Sequence, residues 1–70
     1  MKIQTEVITT FGNFFSDISD EIENEHVDQL KAMYKECYNL DYLSIMDNGK
    51  IIYFPSEVIR KSIIILHIFE

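Results

Sequence analysis

The dipeptide Asn48-Gly49 is the feature that most constrains what this chain can fold into. It lies between two runs rich in β-branched and aromatic residues, within the segment from Tyr42 to Phe54. Asn-Gly favours a two-residue type I′ turn, because both central residues of that turn adopt positive φ. The segment is therefore predicted to be a β-hairpin whose first pair is Asp47 with Lys50.

This register assigns every side chain of the hairpin to a face. The further predicted pairs are Met46 with Ile51, Ile45 with Ile52, Ser44 with Tyr53 and Leu43 with Phe54. Side chains alternate along a strand, so one face carries Leu43, Ile45, Ile52 and Phe54. The opposite face carries Tyr42, Ser44, Met46, Ile51 and Tyr53. Both faces are substantially apolar.

The region before the hairpin is predicted to hold one strand and one long helix. The segment from Ile3 to Phe11 is rich in β-branched residues, and its apolar and polar residues roughly alternate, which is typical of a strand. Gly12-Asn13 is expected to end that strand, with Ser16 or Asp17 as the helix N-cap. From Asp17 to about Tyr38, apolar side chains recur at helical spacing, at Ile18, Ile22, His26, Leu30, Met33 and Cys37. Two shorter helices with a break near Asn24 are the alternative.

The region after the hairpin is predicted to return to the sheet. Pro55 cannot donate to a ladder, and the residues from Pro55 to Val58 suit a turn or a single helical turn capped by Ser56. Lys61 to Phe69 is dense in isoleucine, which favours a final strand. A helix that runs from Ser56 to the end of the chain is the alternative.

These elements predict an α+β fold in the order β-α-β-β-β, with one long amphipathic helix packed on a small, mostly antiparallel sheet. Seventy residues allow a single domain, residues 1–70, because a chain of this length buries only about 60% of its unfolded surface. A composition of 47% hydrophobic and 26% charged residues is that of a folded globular chain.

A single helix covers only one face of a sheet, yet the hairpin and the last strand are apolar on both. Self-association, a heterologous partner or a sheet that curls into a small barrel would each bury the second face. We expect an interaction surface made by Tyr42, Met46, Ile51 and Tyr53 and by one side of Ile64, Leu66 and Ile68. The alternative is that these residues form the core of a curled sheet.

The formal net charge of −6 comes entirely from the segment between Asp17 and Asp28, which holds six acids and no lysine or arginine. On the predicted helix, the side opposite the apolar positions carries Asp17, Asp20, Glu21, Glu25 and Asp28. Such a face could bind a partner with a basic surface, or it could simply be solvated. Direct nucleic-acid binding is disfavoured, because the chain has no concentrated basic patch.

No catalytic, cofactor or metal site is expected. His26 and Cys37 are eleven residues apart, or about 16 Å along a helix, and cannot share an ion. No nucleophile elbow surrounds Cys37, His67 or any serine, and the only glycines, Gly12 and Gly49, form no phosphate-binding loop. Cys37 and His26 are more simply read as a buried thiol and a boundary histidine.

A cytoplasmic protein is expected, because the single cysteine excludes an intramolecular disulfide and the N-terminus lacks a signal-peptide pattern. No membrane interaction is expected either, since the longest apolar stretch is far short of the ~20 residues that a spanning helix needs. In size, acidity and isoleucine-, asparagine- and lysine-leaning composition, the chain resembles small accessory proteins of phages and mobile elements of AT-rich bacteria. That resemblance rests on no motif and implies no residue roles.

The sequence thus predicts a small acidic protein-interaction module that acts as an inhibitor or regulator and forms homo-oligomers. The alternative from another class is a structural or assembly component whose function is oligomeric closure through the sheet. A small ligand-binding barrel or an enzyme is the third hypothesis.

Overall fold

Two antiparallel sheets and two helices make up the computed structural model, which describes residues 1–70. One sheet has the strand order β2 (Gly12–Phe15), β1 (Lys2–Thr9), β5 (Ile63–Phe69), and the other pairs β3 (Tyr42–Asp47) with β4 (Lys50–Pro55). Helix α1 (Asn24–Lys35) is followed by a 3-10 turn at Cys37–Asn39, and the short helix α2 (Ser56–Arg60) joins β4 to β5. The α+β class is confirmed, whereas the single sheet and the long helix are wrong.

The hairpin of β3 and β4 has the predicted register at every position. Asp47 pairs with Lys50 next to the turn, and Leu43 pairs with Phe54 at the far end. Asn48 and Gly49 have φ values of 50° and 81°, the left-handed conformation that a type I′ turn requires. The local turn chemistry was therefore sufficient to fix this part of the fold.

The N-terminal strand ends earlier than predicted, and Gly12-Asn13 begins a second strand instead of breaking the first. Thr9 pairs with Gly12 across a two-residue loop, Thr10-Phe11, and β2 runs back along β1. The Thr9 hydroxyl donates to the Gly12 carbonyl oxygen at 2.9 Å and accepts the Phe11 N–H at 3.0 Å. Gly12 has a φ of 139°, which glycine adopts without steric cost.

The predicted helix begins seven residues too early, because the chain from Ser16 to Glu23 is extended and continues along β1. Ser16 and Ser19 donate their backbone N–H groups to the carbonyl oxygens of Thr5 and Ile3, each at 2.8 Å. Their hydroxyls accept the N–H groups of the same two residues. Pairing with β1 thus satisfies the backbone that the sequence pattern assigned to a first helical turn. Neither Ser16 nor Asp17 is an N-cap. The alternative of two short helices with a break near Asn24 is wrong as well, because no helix precedes α1, which begins at Asn24.

The core lies between the two sheets and is closed by α2. Its buried side chains are Val7 from β1, Leu43 and Ile45 from β3, Phe54 from β4 and Ile59 from α2. Phe14 of β2 contacts Phe54 edge-on, with ring centroids 5.5 Å apart. Ile64 of β5 packs against this core, whereas Leu66 and Ile68, on the same side of β5, are only partly buried and lie beside α1.

Helix α1 crosses the inner side of the three-stranded sheet. Val27 is its fully buried residue, and Tyr34 reaches the buried Thr5 of β1, whose hydroxyl lies 2.7 Å from the tyrosine hydroxyl. His26 and Met33, predicted on the apolar face, are exposed. The buried face of α1 is therefore shifted by about one residue along the sequence from the predicted face, with Val27 buried in place of His26.

The C-terminal third follows the predicted order of elements. β5 starts at Ile63 and is a strand, as the isoleucine density indicated, so the alternative helix to the end of the chain is wrong. The helical turn after β4 is present as α2, but Pro55 is its N-cap residue and Ser56 makes no side-chain capping bond.

Candidate interaction surface

The outer face of the β3–β4 hairpin carries four large apolar side chains, Tyr42, Met46, Ile51 and Tyr53. Each of them is between 52% and 64% exposed. The opposite face of the same strands is turned into the core, where Leu43, Ile45 and Phe54 are buried. The predicted division of the hairpin into two faces is confirmed. We refer to these four exposed residues as the hairpin face.

The hairpin face is continuous because its members are cross-strand neighbours. Met46 pairs directly with Ile51. The rings of Tyr42 and Tyr53 lie diagonally across the strands, with centroids 6.1 Å apart and planes tilted by 53°. Ser44, opposite Tyr53, leaves room between the two pairs. No other element of the chain covers this surface, which is why all four side chains remain exposed.

The predicted acidic residues do not share one helix face. Glu25 and Asp28 lie on α1, whereas Asp17, Asp20 and Glu21 lie on the extended segment that follows β2. The acidic helix face is thus a wrong prediction, and its cause is the wrong helix boundary. All five residues remain exposed.

Three of these five acids make contacts within the chain. Asp17 accepts the backbone N–H of Asn48 with both carboxylate oxygens, at 3.0 and 3.1 Å. Glu21 accepts a hydrogen bond from the Met1 amino group, which together with the charge of that group lowers the pKa of the glutamate from its ordinary value. Asp28 lies 4.0 Å from the Lys31 ammonium. Asp20 and Glu25 form no ion pair.

Sequence reasoning missed a pair of titratable residues on the outer face of the three-stranded sheet. His67 Nε2 lies 2.8 Å from Glu6 Oε1, and the Glu6 side chain is only 11% exposed. Phe15 and Ile65 flank Glu6 directly across the neighbouring strands and shield it. The two partners are 61 residues apart, so no local pattern could reveal them.

The pair lies within a second exposed apolar area. Phe15, Ile63 and Phe69 are large, partly exposed side chains on this outer face, and the His67 ring stacks on Phe69 at a centroid distance of 6.5 Å. No helix packs on this side, because α1 crosses the opposite face of the sheet.

The potential nucleophiles and metal ligands lie apart from one another. Cys37 is a free, buried thiol, and burial raises its pKa. His26 is exposed on α1, and His67 pairs with Glu6. No group of three histidine, cysteine or acidic side chains is placed to hold a metal ion. No helix is long and apolar enough to cross a membrane.

No protein-family model matches the chain, and neither a curated protein nor a solved structure shows significant similarity to it. Functional inference therefore depends on the two exposed apolar surfaces and on the charge around them.

Proposed function

We propose that this chain is a protein-binding module and that the hairpin face is its docking surface. The observation that carries the proposal is the exposure of Tyr42, Met46, Ile51 and Tyr53 side by side, on a hairpin whose other face is the core. Aromatic residues and methionine are enriched at the centres of protein interfaces, where charged residues are depleted. The hairpin face has this composition, with its charged pair, Asp47 and Lys50, at the turn.

A rigid support makes the hairpin face suitable for docking. The two strands are anchored in the core by Leu43, Ile45 and Phe54. The backbone that carries the exposed side chains is therefore held in place before a partner binds. Less conformational entropy is lost on binding when the surface is preorganised. The module would act as an inhibitor or regulator by occupying a surface of its partner.

The negative charge of this chain favours a partner whose binding surface has an apolar patch surrounded by basic residues. The chain has a net charge of −6, and Asp20 and Glu25 are exposed acids without an ion-pair partner. Long-range attraction of this kind accelerates association and is weakened by salt. Replacing both acids by lysine should lower the association rate more than it raises the dissociation rate.

Two matched double variants test the docking surface. In Met46→Thr/Ile51→Thr, threonine keeps the β-propensity of the strands and removes the apolar contact. In Ile63→Thr/Phe69→Thr, a comparable loss is made on the outer face of the other sheet. Affinity capture from the native host, followed by calorimetry with the recovered partner, should show loss of binding for the first variant only.

Equal capture by both variants, with folding verified by circular dichroism, would contradict the assignment of the hairpin face. Recovery of no foreign protein, together with self-association of the wild type, would favour the second candidate function. That function is assembly through homo-oligomers, and the exposed Phe15, Ile63 and Phe69 favour it specifically. In that case Ile63→Thr/Phe69→Thr should be monomeric in multi-angle light scattering.

A further inference from the structure

The outer edge of β5 lies beside α1 and forms an open groove away from the hairpin face. β5 pairs only with β1, so it is an edge strand of the three-stranded sheet. The groove has a volume of about 410 Å³ and is lined by Leu66 and Ile68 of β5 and by Lys31, Tyr34 and Lys35 of α1. It therefore combines an apolar floor with two positive charges.

The hydrogen bonds of β1 show which way its backbone groups point. The N–H and C=O groups of Ile3 and Thr5 bond to Ser19 and Ser16, on the side away from β5. Backbone groups alternate in direction along a strand. The N–H and C=O groups of Gln4, and of every second residue from it such as Glu6, therefore point towards β5.

The same alternation identifies the unpaired groups of β5. Gln4 lies opposite His67, and Glu6 lies opposite Ile65, so these β5 residues bond to β1. The N–H and C=O groups of Leu66 and Ile68 consequently point to the free edge, into the groove beside α1. An edge of this kind is a template for the addition of another strand.

We propose that this groove binds an extended acidic segment of a partner protein, which adds to the sheet as a strand beside β5. Its backbone would pair with Leu66 and Ile68, as in other cases of β-augmentation. Every second side chain of the added strand would face α1. One of these side chains is apolar and packs on Leu66 and Ile68, and an aspartate or glutamate two residues away meets Lys31 and Lys35.

Charge identifies the occupant as acidic. Lys35 has no ion-pair partner, and Lys31 has only the 4.0 Å contact with Asp28, in which both side chains are largely exposed. The two lysines lie one helical turn apart, so their positive charges are concentrated beside the groove, although the protein as a whole is acidic.

A second copy of the chain fits the groove poorly. β5 contains no carboxylate between Ile63 and Phe69 that could meet the lysines of another molecule, and the nearest one, Glu70, lies beyond the last residue of the strand. Antiparallel pairing of two β5 strands would also bring the α1 helices side by side, with Lys31 and Lys35 of both copies close together. Like charges in that position disfavour the self-paired arrangement.

Selection from a random octapeptide library, with the full chain as bait, tests the proposal. We expect enriched peptides to carry an acidic residue two positions from an apolar one. Their Kd should rise by about tenfold in Lys31→Glu/Lys35→Glu, and it should be unchanged in Lys50→Glu/Lys61→Glu, which has the same net charge. Binding should protect the amides of Leu66 and Ile68 from hydrogen exchange, and Met46→Thr/Ile51→Thr should bind the peptides normally.

Three results would overturn the proposal. The first is that no peptide is enriched, and the second is that the enriched peptides bind both charge variants equally well. The third is that the amides of Leu66 and Ile68 are already protected in the free protein at concentrations where it self-associates, because β5 would then pair with a second copy. Failure of the hairpin face as a docking surface would leave all of these readouts unaffected.

Discussion

The carboxylate of Asp17 accepts the backbone N–H of Asn48, across 31 residues of sequence. The Asp17 N–H in turn donates to the carbonyl oxygen of Met46 at 2.8 Å. These bonds hold the turn of the β3–β4 hairpin against the chain that leaves β2. Asp17 thereby joins the two sheets at one corner, on the border of the hairpin face.

Replacing Asp17 by alanine should therefore weaken the contact between the two sheets. We expect a loss of about 1 kcal/mol in the free energy of unfolding, since a charge-assisted bond to a backbone N–H is lost at an exposed site. Asp20→Ala is the matched control and should change stability by less than about 0.5 kcal/mol. Urea unfolding measures both, and equal effects would show that the Asp17 contact contributes nothing.

The contrast between the hairpin and the N-terminal half shows what the sequence could reveal. Asn48-Gly49 fixes the register of the hairpin locally, since the turn needs two positive φ values and the flanking side chains alternate between the two faces. Ile18 and Ile22 have helical spacing as well, but their segment is extended, and Ile18 is 55% exposed. Ser16 and Ser19 make the decisive hydrogen bonds to β1, and no periodicity reports such a long-range pairing.

The two proposed interaction surfaces were predictable from sequence to different degrees, again because local patterns do not report long-range contacts. The hairpin face follows directly from the register, so Tyr42, Met46, Ile51 and Tyr53 could be grouped from sequence. The groove beside β5 depends on which side of the sheet α1 crosses, and that is set by contacts such as Tyr34 with Thr5. Lys31 and Lys35 could be placed on a helix, but not beside Leu66.

The hydrogen bond between Thr5 and Tyr34 should couple α1 to the three-stranded sheet. Thr5 is buried, so Tyr34→Phe removes its hydroxyl partner and should cost about 1–2 kcal/mol of unfolding free energy. Thr5→Val removes the other side of the bond. In the double variant the cost should be smaller than the sum of the two single costs, because no polar group is left without a partner. Strictly additive effects in denaturant unfolding would show that the two hydroxyls act independently.

Glu6 and His67 should show the asymmetry of a shielded hydrogen-bonded pair. His67→Ala leaves the Glu6 carboxylate between Phe15 and Ile65 with only the 3.5 Å contact from the Asn13 amide, so we expect a loss of about 1–2 kcal/mol. Replacing both residues by valine should restore most of that stability or exceed it, because their surroundings are apolar. Thermal unfolding measures this difference. A double variant as unstable as His67→Ala would argue that the pair is needed for the fold of the outer face.

Cys37 should react slowly in the folded protein, since burial raises its pKa and keeps it in the unreactive thiol form. The folded state therefore retains a proton that the unfolded chain releases at lower pH. Its contribution to stability is fully present below the unfolded thiol pKa and declines as pH rises from that value towards the folded pKa. The Cys37→Ala variant lacks this decline, so the stability difference between wild type and variant should shrink as pH rises in that interval. Labelling with a disulfide reagent should accelerate strongly in denaturant, and a labelling rate in native buffer equal to that of the unfolded chain would show that the thiol is accessible.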